Sequence, residues 1–598
     1  MNVVLTMIDT AGIQDYIFGS NRLRENIGAS YLVEQATSNW VYDELKRLEG
    51  HNIKDPKPDE DETDWIDRHK PIEQDDQTFE LIFAGGGNAA ILFRSLDDAK
   101  RFAWNLSRRI FEEAPGLEVV IAHSEPFDWN PDKEDLLPDE RLGDHVDKLR
   151  DERLAAKKRT RQAMPTPLLG LGVSAECEAT GLVATQSSRD LEAEPRMVSR
   201  EIMAKLRVTQ KDKPNGEIRN EAKDRLLKHL RKSDGNFNGD EFEFSDDLDH
   251  LGRCGGEESY IGVVHIDGNS MGEMIKDYVG EAKTNRAYIE RLRNFSKGIE
   301  LASGAALVRT LGVLRSHIKS DRDLKTGRPI HVVTEATPKS VPEDRRTKSQ
   351  QKRFRLFPQE KDEGPNEKPC WPFRPLVFGG DDVTFVCIGQ LGLSLATIYM
   401  NAFTAETRKR IKDFQGREIH TGAGVCIVKA HYPFRRAYEL SEALTKEAKR
   451  HLQEERPRAS AIDWHISSTG LSGSLKAIRT REYSAHEGSL QMRPTRLKHD
   501  SDWRTWQNFN QLVGDFNFDE QWAGHRNKVK SLRDALRGGK EAVQEFLKIN
   551  DVELPVLTNA PANLHEQGWE GNHCAYFDAI EAMDHHFLLK EANDGDND

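Results

Sequence analysis

The stretch "RPLVFGGDDVTFVC", residues 374–387, decides how this chain is read. Leu376, Val377 and Phe378 precede Gly379-Gly380-Asp381-Asp382, and Val383, Phe385 and Val386 follow it. Strand formers on both sides of a glycine–acid tetrapeptide predict a β-hairpin with two carboxylates at its tip. Crowded carboxylates repel one another, and a hard divalent cation bound through oxygen relieves that repulsion. The plainer alternative is a tight turn with two solvated acids.

Outward from the hairpin, "YIGVVHID" (260–267) predicts a strand ending on Asp267, followed by the helical stretches "SMGEMIKDYVG" and "NFSKGIELASGAALVRTLGVLRSHI". Downstream come a helix, "LSLATIYMNAFTAETRKRI" (393–411), a strand, "GAGVCIVKA" (422–430), and a helix, "FRRAYELSEALTKEAKRHL" (434–452). A charged insertion lies at 320–372, and a loop of that length is usually functional or disordered. The first 125 residues carry the same order: "NVVLTMID" (2–9), "GASYLVEQATSNWVYDELKRLE" (28–49), "TFELIFAGGGNAAILF" (78–93), "SLDDAKRFAWNLSRRIFEEA" (95–114) and "LEVVIAHS" (117–124). An acidic, Pro-containing stretch at 54–76 reads as a surface excursion.

The chain thus holds a duplicated unit of strand, helix, hairpin, helix and strand. That is the split βαβ, ferredoxin-like plan used as a palm by nucleotide cyclases and many polymerases. The expected fold class is α+β. Two ferredoxin-like palm domains at 1–125 and 259–468 flank a helical, polar middle region at 126–258, and a C-terminal α-helical domain follows at 469–598.

In this plan the end of the first strand lies beside the hairpin tip, which brings Asp267 to Asp381 and Asp382. The three acids would surround one or two Mg2+ or Mn2+ ions that bind triphosphate oxygens and activate a ribose 3′-hydroxyl for attack on an α-phosphate. Gly379 and Gly380 let the backbone approach phosphates closely. Backbone N–H groups from Gly268 through Asn269 and Ser270 to Gly272 are expected to receive phosphate oxygens. The first hairpin, Gly85-Gly86-Gly87-Asn88, keeps the glycines but lacks the acid pair. It is expected to hold no catalytic metal; Gly86, Gly87 and Asn88 either cradle a nucleotide or RNA backbone or simply turn tightly.

Composition narrows the classes. The 598 residues carry a net charge of −14, so nucleic-acid contact needs local basic surface. "KLRDERLAAKKRTRQ" (148–162) and "DRRTKSQQKRFR" (344–355) offer it, or are solvated faces. Six cysteines are too few for a disulfide scaffold. "MNVVLTMID" turns polar too soon for a signal peptide, and no apolar run is long enough to span a membrane. The expected location is the cytoplasm, with no membrane partner.

With these motifs in view, "IQDYIFGSNRLRENIGASYLV" (13–33) resembles the start of the first palm in the large subunit of type III CRISPR effector complexes. The GGGN hairpin, "HIDGNSMG", "FGGDD", "GAGVCIVKAHYP" (422–433) and "LTKEAKR" (444–450) follow in that family's order, over residues 1 to 465. The resemblance implies two palms facing each other with ATP between them. It implies that the second palm turns ATP into cyclic oligoadenylate, a messenger in antiviral defence, and that guide–target RNA and other complex subunits are partners. It makes Asp267, the Gly268 carbonyl, Asp381 and Asp382 metal ligands, sets Lys449 against triphosphate oxygens, and puts Ser30 and Tyr31 near the first palm's nucleotide face.

Three departures accompany it. Asn269 stands where many relatives have a second Asp. The chain starts directly at the palm strand, without the family's HD nuclease domain, so no single-stranded DNase is expected, and His499-Asp500 reads as a surface pair. In the middle region paired CxxC motifs are reduced to Cys177; Cys254 and His250 are weak zinc candidates, and His573-Cys574 and His585-His586 read as structural. Two alternatives stay open: an RNA- and subunit-binding scaffold with a vestigial acid site, and a GTP-using cyclic-dinucleotide synthase. The duplicated palm argues against the second. Control of the enzyme is expected from the insertion at 320–372 or the helical tail.

Overall fold

The computed structural model describes residues 1–48, 70–162, 173–189, 194–210, 220–235, 237–239, 241–252, 259–322, 327, 329–336, 352–356, 368–414, 416–455, 459–467, 473–498 and 502–590. Cys254, the His499-Asp500 pair, most of the acidic excursion and most of the 344–355 basic run lie outside them. The chain divides into two units. One comprises 1–235, 270–304 and 407–417; the other comprises 236–269, 305–406 and 418–598.

The first unit is built on an antiparallel sheet. Its strand order is Phe79–Gly85, Asn88–Phe93, Asn2–Ala11, Glu118–His123. The hairpin partner of the first strand sits beside it and the fourth strand flanks its other edge, as the sequence order predicts. Alternation along Asn2–Ala11 buries Val3 and Leu5 in one core with Leu92, Val120, Phe127 and Trp129. The helix Leu23–Thr37 lies almost in contact with the helix Arg200–Arg207. Gly28 permits this, because a Cβ there would sit 2.0 Å from the Lys205 carbonyl oxygen. A middle-region cysteine is part of this packing: Cys177 is buried against Val198, Ile202, Met203 and Leu206.

The second unit repeats the four-strand order and extends it. Its sheet runs Phe373–Val377, Val383–Ile388, Tyr260–Gly268, Thr421–Lys429, Ala461–Ile466, Thr495–Arg496. The last two strands are additions that the hydrophobic pattern did not announce. Ala461–Ile466 pairs parallel to Thr421–Lys429 through the crossover helix Phe434–Glu455. It buries Trp464 against Phe509 of the helix Trp506–Phe518, with ring centroids 4.5 Å apart.

Two further expectations need correction. The insertion is not merely a loop: Ile318–Arg322, Pro329–Thr334 and Arg353–Arg355 form a three-stranded antiparallel sheet. A tail segment holds that sheet. Leu588 O accepts from Ala336 N at 2.8 Å, and Phe587 stacks edge-on to Phe354 at 5.2 Å. The same Phe587 donates its N–H to Gln390 O at 2.9 Å and accepts from the Ser394 hydroxyl at 2.7 Å.

The C-terminal part is likewise not helical alone. Strands of two residues each, Ser484–Ala485, Gly488–Ser489, His573–Cys574 and Trp569–Glu570, make a small sheet. Cys574 is buried in it, and His586 is buried with Nε2 2.7 Å from Asn510 Oδ1. Beneath it, buried Arg493 faces Asp578 and Glu581 at 3.5 and 3.3 Å. Asp578 Oδ2 also accepts the Met492 and Arg493 N–H groups, at 2.8 and 2.9 Å. Among the described residues no helix is long and apolar enough to cross a membrane.

Candidate functional site

The hairpin forms where the sequence puts it. Phe373–Val377 and Val383–Ile388 pair antiparallel, and Gly379, with φ at 99°, takes the left-handed turn that a side chain would strain. The register then brings the acids together. Val383 pairs with Ile266 and Thr384 with His265, so one residue further along Asp382 comes opposite Asp267. Because side chains alternate, Asp267 and His265 share one face, and Asp382 and Thr384 share the same face.

That face is covered by the helix Phe434–Glu455, and "TGAGVC" explains how closely. A Cβ on Gly424 would lie 2.0 Å from the Ser441 carbonyl oxygen, and one on Gly422 would lie 2.5 Å from Lys449 Cγ. The two glycines let the helix rest on the strand backbone. The Lys449 stem then passes over Gly422, which pairs with Asp267 in the register. Lys449 Nζ ends 2.7 Å from Asp267 Oδ2. Thr445 donates its hydroxyl to the His265 carbonyl at 2.9 Å, tying the helix to the Asp267 strand.

The electrostatics follow from this packing. Burial, then the charges of Asp267 and Asp382, push the Asp381 carboxyl up to about 6. Burial and the Asp267 charge push Asp382 up to about 8. The Asp382 side chain is 41% exposed, but its Oδ1 is sealed from solvent and has no hydrogen-bond partner. The nearest nitrogen is His265 Nδ1, at 3.3 Å. Burial lowers His265 to about 4, so the imidazole is neutral at physiological pH.

Among the described residues, no three acidic, histidine or cysteine side chains stand arranged as a closed metal cage. Lys449 pairs with one Asp267 oxygen, Oδ2, at 2.7 Å. The donor set nevertheless fits a hard divalent cation. Asn269 Oδ1 is a buried acceptor without a partner, and the ionisation of the Asp381 and Asp382 carboxyls is opposed by burial and by the Asp267 charge.

One phosphate-binding expectation is corrected. Asn269 N–H is taken by the His420 carbonyl at 2.8 Å and is not free for a ligand. Ser270 adopts a left-handed conformation, φ 53°, and Gly272 falls in the first turn of the helix Met271–Gly280. In the first unit, Gly85, Gly86 and Gly87 all have positive φ, and Asn88 is exposed at the tip. Thr10 caps that turn, donating both its N–H and its hydroxyl to Gly87 O at 3.1 and 2.9 Å. Ser30 is buried inside its helix, and the Tyr31 hydroxyl donates to Glu221 Oε2 at 3.2 Å. His250 Nδ1 is 2.8 Å from the Ser245 hydroxyl.

Sequence reasoning overlooked His265, Thr384 and Thr445, and also a partial copy of the site. In the first sheet Asp9 pairs with Asn88, and Lys158 Nζ lies 2.5 Å from Asp9 Oδ2. The signal was present in "MID" (7–9) against "HID" (265–267).

No protein-family model matches the chain, and no curated protein matches it. Solved structures do. A Csm1 crystal structure from T.onnurineus is similar over 97% of this chain and 68% of its own, at 14% identity and a TM-score of 0.49. A Csm1-Csm4 cassette in complex with AMPPNP covers 97% and 69%, at 14% identity and a TM-score of 0.47. The cassette in complex with one ATP gives the same coverage, at 15% identity and a TM-score of 0.46.

Proposed function

We propose that this chain is an ATP-dependent nucleotidyltransferase that makes cyclic oligoadenylate in type III CRISPR-like antiviral defence. One observation carries the reading: Asp381 and Asp382 sit at a hairpin tip beside Asp267, with their ionisation opposed by burial and by the Asp267 charge. Such a cluster is costly for a protein to keep unless a cation uses it. The order of the motifs in the sequence supports the substrate class.

In this reading Asp267, Asp381, Asp382 and the Gly268 carbonyl hold two Mg2+ or Mn2+ ions, with Asn269 Oδ1 as a neutral donor. The ions would supply Lewis-acid activation of the ribose 3′-hydroxyl and neutralise charge on the α-phosphate under attack. The chain's own residues do the rest. Asp381 and Asp382 give up protons as the site is loaded. Lys449, paired with Asp267 at 2.7 Å, would turn to the triphosphate oxygens as a compact charge. Gly379 and Gly380 leave room for a phosphate against bare backbone. Guide–target RNA and other subunits of an effector complex are the proposed partners, in the cytoplasm.

The test is incubation with each of the four nucleoside triphosphates and Mg2+ or Mn2+, followed by mass analysis. Cyclic oligoadenylate from ATP is the expected product. A cyclic dinucleotide from GTP would replace the substrate assignment, and no product with RNA and partner subunits present would favour the scaffold.

A further inference from the structure

We infer that His265 is a positioning residue for Asp382, fixing which carboxylate oxygen is offered to a cation. The inference rests on the reading of Asp382 as a metal ligand and adds a residue to it.

The sheet builds the arrangement. Asp267 and Asp382 are the residues just beyond the last ladder pair, Ile266–Val383, and His265 and Thr384 form the pair before it. His265 is therefore the floor beneath both acids. Its Nδ1 is 3.0 Å from the Thr384 hydroxyl and 3.3 Å from Asp382 Oδ1. A neutral imidazole carries one N–H, and the hydroxyl of Thr384 can donate or accept. When Nδ1 carries the proton, a shift of a few tenths of an ångström moves its N–H from Thr384 to the sealed Asp382 Oδ1. That oxygen is a buried acceptor lacking a partner, so it gains most from the bond. With Oδ1 engaged from below, Asp382 presents Oδ2 outward. The ring itself is held: Tyr438 packs edge-on at 5.5 Å, and Thr445 bonds the His265 carbonyl. Hydrogen bonds to a ligating carboxylate orient it and tune its affinity in this way.

The experiment measures Mn2+ binding to the full chain without nucleotide, by calorimetry and by the electron paramagnetic resonance of the bound ion. His265→Asn keeps a side-chain N–H near the Nδ1 position, and His265→Leu removes it. We expect His265→Leu to lose about tenfold to 100-fold in affinity, the usual effect of removing such a partner. We expect His265→Asn to retain wild-type affinity and spectrum. Unfolding midpoints without metal check that both variants are folded; a misfolded leucine variant is replaced by His265→Gln, whose amide cannot reach the Nδ1 position. Equal binding by wild type and His265→Leu overturns the inference, as does an equal loss in both variants, which would mark His265 as packing alone. Failure of the wild type itself to bind Mn2+ at this site, judged against Asp381→Ala/Asp382→Ala, overturns the metal reading instead.

Discussion

At the scale of single residues, two acids and a lysine set the behaviour. Asp382 titrates near 3.8 when free and at about 8 in the fold. A carboxyl with a raised pKa binds its proton more tightly in the folded state. Its ionisation therefore opposes folding, by an amount that is absent below pH 4 and complete above pH 8 in this case. Asp382→Asn should consequently raise the melting temperature relative to wild type at pH 9 and leave it unchanged at pH 4; a constant difference across that range would contradict the assignment. The same protons oppose a cation, so Mn2+ affinity should climb from pH 6 to pH 8, by up to about tenfold per pH unit for each proton displaced. Lys449 gives a sharper contrast. Lys449→Ala frees Asp267, so metal binding without nucleotide should hold or strengthen. The KM for ATP should rise about tenfold, the worth of one charge-assisted hydrogen bond. Steady-state kinetics beside a metal titration reads both.

At the scale of elements, the site depends on a helix lying on bare strand backbone. Gly424→Ala places a methyl 2.0 Å from the Ser441 carbonyl. The helix must lift, at a cost of about 1–3 kcal/mol, carrying Lys449 away from Asp267. Denaturant melts and the loss of the Lys449 effect on metal binding would show it. Much of this architecture was legible. The glycine–acid hairpin, the strand ending at Asp267 and the duplicated order all rest on apolar runs bounded by glycine and acidic residues. What escaped had no such signal. The two-residue strands near Ser484 and His573 have no period to read, and Ala461–Ile466 buries Asp463 and His465, polar residues that a sequence reading places outside a core. The Lys449–Asp267 pair joins positions 182 residues apart and follows from Gly422, whose role appears once the helix is in place. The taking of Asn269 N–H by His420 is likewise a product of register.

At the scale of the whole molecule, the second unit links its insertion sheet to the connection that follows the hairpin. Phe587 touches Phe354 in the insertion and bonds Gln390 and Ser394. Phe587→Ala should cost about 3–5 kcal/mol and speed hydrogen exchange in the insertion strands together with the Val383–Ile388 strand. Faster exchange in the insertion alone would mean the tail does not couple them. The first unit repeats the register, with Asp9 opposite Asn88 in place of the acid pair. The central claim is that the acids of the second sheet make product from ATP. It is tested most directly by comparing wild type with Asp381→Ala/Asp382→Ala for ATP conversion with Mn2+, RNA and partner subunits present, using mass analysis. Cyclic oligoadenylate from wild type and none from a folded double variant is the predicted result; cyclic product at the wild-type rate from the double variant would contradict the account.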